Sequence, residues 1–198
     1  MQNYEFKSRK EYVKRGLSQE ELENIALYDE DLETKIWTVR NIDNQEFLKR
    51  IPLYDLDYRV KIEAIKKIED QEVLKIIALW GEKTLNASLV ALSRIENEEI
   101  LIEVATRSFD EEVAIEAIKR IDDQEFLKQR ALWGKTLNEK LVALSRIKDK
   151  EILIRVTTES LDEEVVIEAM KKLPKKKIKE IKSKNWFVKV VCEKILSK

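Results

Sequence analysis

The chain has 198 residues, 39% charged and 43% hydrophobic, with 38 Lys and Arg against 39 Asp and Glu. That much charge at near-zero net charge and ordinary hydrophobicity excludes disorder and points to a thin, surface-rich architecture. Zero histidine excludes Ser-His-Asp triads, Cys-His pairs, His-bearing zinc sites and the iron facial triad.

A lone Cys192 cannot form an internal disulfide and agrees with a reducing compartment. The start, Met1 to Lys7, lacks the apolar region of a signal peptide, and no run approaches the ~20 apolar residues of a membrane span. The expectation is a cytoplasmic protein with no cofactor, no metal and no catalytic role. Gly16, Gly81 and Gly134 are the only glycines, too few and too scattered for a phosphate-cradling loop. Gly134-Lys135-Thr136 matches only the last letters of such a motif.

In chain order, residues 1–15 carry five basic and two acidic side chains and read as an N-terminal helix or cap. A degenerate unit follows from Gly16 to Leu32. An apolar anchor then recurs at Ile42, Ile68, Ile95, Ile121, Ile147 and Leu173, at steps of 26 or 27 residues. Pro52 is placed to end or kink the second helix of the Ile42 unit. Ile95–Lys119 and Ile147–Lys171 are about two-thirds identical, which makes internal repetition the dominant signal. Leu79-Trp80-Gly81 returns as Leu132-Trp133-Gly134, and Thr84-Leu85-Asn86 as Thr136-Leu137-Asn138. The array runs over residues 16–173. Residues 174–198 read as a basic capping repeat of the same continuous domain.

Each unit reads as two short helices. In Val113–Ile121 the apolar residues at 115, 118 and 121, with Ala114 and Ala117, follow helical spacing and predict helix A. Asp122-Asp123 breaks it, and Gln124 to Leu132 predicts helix B. Asp122 with Glu125 reads as a capping box; Thr136 and Ser160 read as starts of helix A. Gly81 and Gly134 suit helix C-termini with φ > 0. A small residue stands four places before every anchor: Thr38, Ala64, Ala91, Ala117, Ala143 and Ala169. This column predicts close helix approach.

The phrase Arg59-Val60-Lys61-Ile62-Glu63-Ala64-Ile65-Lys66-Lys67-Ile68-Glu69-Asp70-Gln71-Glu72-Val73-Leu74 and its copies resemble the short HEAT-like α-solenoid repeats. The units are shorter than the ~40–47 residues usual for HEAT and armadillo and closer to leucine-rich-variant-like repeats. The resemblance implies an all-α fold, a right-handed α-α superhelix of stacked helical hairpins. It further implies B helices lining a concave surface that binds other molecules. At fold level only, it extends to the alkylpurine DNA glycosylases. HEAT-like iron hydroxylases are excluded, because their histidine ligands are absent.

Several columns carry both a structural and a functional reading. Glutamate recurs four places after the anchor (Glu46, Glu72, Glu99, Glu125, Glu151), as a helix N-terminal carboxylate or an acidic ladder. A cation precedes most anchors (Lys67, Arg94, Arg120, Arg146, Lys172), as a dipole partner or a phosphate-binding stripe. The seventh and eighth places change identity, giving Lys49, Arg50, Lys75, Glu103, Lys128, Gln129 and Arg155 as candidate contacts for a protein or peptide partner. Arg130 takes a core register held elsewhere by Ile51, Ile77, Val104 and Val156, so it must snorkel or pair. Trp80, Trp133 and Trp186 recur every 53 residues, as packing staples or binding hot spots, and packing is favoured.

Residues 171–198 hold eleven Lys and two acids, a net of +9, while residues 16–170 carry −13. Lys175, Lys176, Lys177 and Lys179 are therefore candidate anion contacts, toward nucleic acid or another acidic partner. Two other readings stand beside that one: a solubilising cap, and self-association of this basic end with a second copy's acidic body.

Overall fold

The computed structural model describes residues 16–54, 56–80 and 85–196. The expected cap over residues 1–15, together with Gly81 and Thr84, lies outside the described residues. The described chain is all-α, with no strand. The helices are α1 (Gln19–Tyr28), α2 (Leu32–Asn41), α3 (Gln45–Arg50), α4 (Tyr58–Ile65), α5 (Gln71–Trp80) and α6 (Leu85–Arg94). They continue as α7 (Glu98–Arg107), α8 (Glu111–Ile118), α9 (Gln124–Trp133), α10 (Leu137–Arg146), α11 (Lys150–Glu159), α12 (Glu163–Lys171), α13 (Lys175–Lys184) and α14 (Trp186–Leu196). The described residues form two compact units, divided between Glu96 and Asn97.

In the first unit the A helices α2, α4 and α6 pack in succession, and the hairpins α1–α2 and α5–α6 hold the B helices against them. In the second unit α8, α10, α12 and α14 do the same, with hairpins α7–α8, α9–α10, α11–α12 and α13–α14. This sequential packing of neighbouring helices is solenoid-like. Each tight hairpin joins the B helix of one repeat to the A helix of the next.

Burial follows the sequence columns. Thr38, Ala64, Ala91, Ala117, Ala143 and Ala169 are all fully buried, and the anchors beside them lie in the core. A side chain without bulk at that register lets successive A helices approach closely. Helices of about ten residues are unstable alone, so this shared burial is what holds them.

Local chemistry sets the ends. Asn44, Asp70, Asn97, Asp123 and Asp149 each accept backbone N–H groups at the start of a B helix. The expected cap Asp122 is thus displaced by one residue. Asp123 accepts from Phe126 N–H at 2.9 Å, while Asp122 faces the cations Arg146 and Lys148. A complete capping box forms at Ser18 and Glu21. Thr136 caps α10 as expected, but α12 is capped by Asp162 rather than Ser160.

Pro52 acts as expected: α3 stops at Arg50 and the chain continues as a 3₁₀ turn over Ile51–Leu53. Gly134 departs from expectation. Its φ is −53°, so no left-handed conformation is involved. A Cβ there would stand 2.7 Å from the Arg130 carbonyl oxygen. Glycine is needed for room, not for backbone freedom.

Candidate binding surface

Between repeats runs a hydrogen-bond ladder that the sequence reading missed. The first residue of five B helices reaches the A–B loop of the following repeat. In the first unit Gln19 accepts from Asp43 N–H at 3.1 Å, Gln45 from Glu69 N–H at 3.2 Å, and Gln71 from Glu96 N–H at 2.8 Å. Gln45 and Gln71 also donate to the carbonyls of Lys67 and Arg94. In the second unit Glu98 accepts from Asp122 and Asp123, and Gln124 from Lys148 and Asp149. The next rung would join Lys150 to Pro174, but a lysine side chain has no acceptor and proline has no N–H. The signal was present as glutamine three places after the anchor at Ile42, Ile68 and Ile121.

The cations before the anchors do related work. Lys67 donates to the carbonyls of Arg40 and Ile42 at 2.7 and 2.5 Å. Lys172 donates to those of Leu144, Ser145 and Ile147 at 2.7 to 3.0 Å. Arg146 bonds the Ile121 carbonyl and Asp122. Each of these cations closes the C-terminus of the preceding repeat's A helix, whose carbonyls lack helical partners.

Arg130 pairs rather than snorkels. It donates to the Ala105 carbonyl at 2.7 Å and to Glu139 at 3.1 Å, and its guanidinium lies over the Phe126 ring. Glu139 is fully buried and also accepts from Lys135 N–H. Glu139 replaces an apolar residue too: its register holds Val60, Val113 and Val165, all buried. Two core positions have thus changed together into one ion pair. Arg130 Nε stays buried without a hydrogen-bond partner, which costs stability.

On the B-helix face the candidate partner contacts separate into two groups. Lys49, Lys75 and Lys128 lie along their helices with partly or fully covered stems, paired to Glu46 and Glu72 at 2.6 Å and to Glu125. Lys128 is buried. The Glu46 hydrogen bond holds the Lys49 ammonium above the usual lysine range. The glutamate column therefore engages these lysines, while the residues two places after the anchors supply the caps. Arg50, Ile76, Gln129 and Arg155 point outward, and Glu103 is half-buried beside Arg107. Arg50 lies over the Tyr54 ring at 5.7 Å, and Arg155 reaches Glu159 at 3.1 Å.

Lys175, Lys176 and Lys179 are exposed on α13, and Lys177 stands 3.4 Å from Glu180. This helix begins after Pro174 with no side-chain cap and no acid in its first turn. A shallow pocket of about 250 Å³ is lined by Ile154, Thr158, Lys177, Glu180, Ile181 and Asn185. That is smaller than the ~300–1,000 Å³ of small-molecule sites.

The tryptophans do not pack as expected. Trp80, Trp133 and Trp186 are 60, 68 and 74% exposed. Trp80 and Trp133 end their B helices, and Trp186 begins α14, where its ring meets Phe187 edge-on at 5.8 Å.

No family profile, no curated protein and no solved structure matches this chain. The reading of its surface rests on its own geometry. Among the described residues no group of three or more acidic or cysteine side chains could hold a metal ion. No described helix is long and apolar enough to cross a membrane.

Proposed function

We propose that this chain is a non-catalytic, cytoplasmic α-solenoid of short HEAT-like repeats that binds a protein or peptide along its B-helix face. One observation carries the reading. The columns that hold the repeats together are nearly constant, whereas the column Arg50, Ile76, Glu103, Gln129 and Arg155, exposed except at the half-buried Glu103, differs at almost every repeat. A scaffold needs the first kind of position to be uniform; recognition of an irregular partner needs the second to vary.

Affinity capture from a native lysate, with and without nuclease, tests this by mass spectrometry. A stoichiometric protein retained despite nuclease, and lost with Arg50→Glu plus Arg155→Glu at unchanged melting temperature, supports it. Capture indifferent to that pair removes this face. A second reading, nucleic-acid binding, is favoured by the uncapped lysine-rich start of α13, where no carboxylate offsets the helix dipole. Retention that vanishes with nuclease would move it to the front.

A further inference from the structure

Large apolar side chains recur in the open at the B-to-A turns of the second unit. Phe109, Trp133 and Leu161 are 85, 68 and 84% exposed. They lie at three successive turns, 24 and 28 residues apart. Cross-links align these turns along one edge: Lys135 donates to the Ser108 carbonyl at 2.8 Å, Thr136 to Glu111 at 2.6 Å, and Lys140 stands 3.5 Å from Asp162. Leu161 immediately precedes the cap Asp162, a position from which an apolar residue ordinarily folds back onto the first turn. Its exposure shows that it does not. Solvent-exposed apolar groups in a rimmed row mark interaction surfaces.

The rim is acidic. Glu111 and Glu112 start α8, and Glu163 and Glu164 start α12, with Glu112 and Glu164 exposed at equivalent registers. Two cations stand at the middle turn: Lys135 donates to the Ser108 carbonyl, and Lys140, in the first turn of α10, lies 3.5 Å from Asp162. Such a rim repels phosphate-bearing surfaces and a second acidic edge, and it attracts cations.

We propose that this edge docks a cationic amphipathic helix of a partner protein. The inference deepens the scaffold reading and rests on it, while naming a different face and the partner's chemistry. Stacked helices are about 8–10 Å apart, and a helix rises about 1.5 Å per residue. A partner helix lying along the edge therefore meets Phe109, Trp133 and Leu161 with apolar side chains about five to seven residues apart, and its Lys or Arg residues face the glutamates. Trp and other large aromatic anchors carry most of the energy in such contacts.

The test uses the full chain and a fluorescein-labelled synthetic Lys/Leu helix of about 22 residues, long enough for three heptad-spaced contacts. Binding is read by anisotropy at about 0.15 M salt, where long-range attraction is screened. The wild-type chain should bind this peptide and not its Glu-for-Lys counterpart. Trp133→Ser with Leu161→Ser, and separately Glu112→Lys with Glu164→Lys, should each weaken binding by about tenfold or more. Trp186→Ser, outside the acidic stretch, should leave it unchanged. All five substituted side chains are exposed, and circular dichroism melts check that the fold persists. Peptide binding that ignores these variants overturns the edge. So does loss of binding only with Arg50→Glu plus Arg155→Glu, though that outcome leaves the scaffold reading standing on the B-helix face. Binding to anionic phosphatidylglycerol vesicles, or a dimer, that Trp133→Ser abolishes would also overturn the proposal by assigning the edge to lipid or to a second copy.

Discussion

The two compact units solve the same stacking problem with different degrees of regularity. In residues 1–96 a proline stops α3 after six residues and a 3₁₀ turn replaces its last turn, yet the glutamine rungs at Gln19, Gln45 and Gln71 all form. In residues 97–198 the described B helices are each ten residues long, and the irregularity sits in the core as the Arg130–Glu139 pair. The comparison separates two tasks. Backbone chemistry at single positions decides how long each helix is. Side chains that reach from one repeat to the next decide the register, and they tolerate a shortened helix.

The largest expected effect breaks the irregular core of the second unit. Arg130→Met alone leaves Glu139 buried and unpaired and should cost about 3–5 kcal/mol in urea denaturation. Adding Glu139→Val restores the apolar pair that other repeats carry and should recover most of that loss. A cost near zero for the single change would show that the pair does not hold α9 to α10.

Gly134→Ala comes next. The added methyl meets a backbone carbonyl rather than a flexible side chain, and the forced shift should cost about 1–3 kcal/mol. Gln45→Ala and Gln124→Ala then compare the ladder in the two units. Each removes hydrogen bonds at partly exposed loops and should cost about 1 kcal/mol. A large difference between them would mean that the rungs are not equivalent.

The smallest effect is a pH dependence that distinguishes the units. The Arg40 hydrogen bond, aided by Lys66, holds the Glu63 carboxyl below the ordinary glutamate range. A carboxyl lowered in the folded state contributes stability above its unfolded value, and that contribution fades as pH falls through the folded one. Melting temperature should therefore drop as pH falls below 4.5, the ordinary glutamate value, and Glu63→Gln should flatten part of that slope. In the second unit Asp122 is lowered by Lys148 and Arg146 but is mostly exposed. Asp122→Asn should change the slope less.

Much of the architecture was legible in the letters. The 26-residue anchors, the small column and the apolar spacing of helix A each follow from a periodicity that only stacked helices satisfy. Pro52 announced its own effect, because a missing N–H and a ring clash act locally whatever surrounds them. Arg130 was recognisable as a charge at an apolar register. Its partner Glu139 could have been found in the same way, as the glutamate where Val60, Val113 and Val165 stand.

Other features were decided only by tertiary structure. Whether a carboxylate caps a helix or salt-bridges a neighbour depends on loop geometry that adjacent Asp122 and Asp123 do not distinguish by type. Whether a tryptophan is a buried staple or an exposed side chain depends on tertiary packing, and Trp80, Trp133 and Trp186 are mostly exposed. Sequence periodicity by itself determined that the chain is an all-helical repeat, because burial with a fixed period is written directly into residue type. Pairing across repeats, and hence which columns are consumed by the scaffold and which remain open to a partner, was set only in three dimensions. Those contacts join residues 22–28 positions apart, except for the nearer Arg130–Glu139 pair, and their geometry depends on how closely neighbouring helices approach.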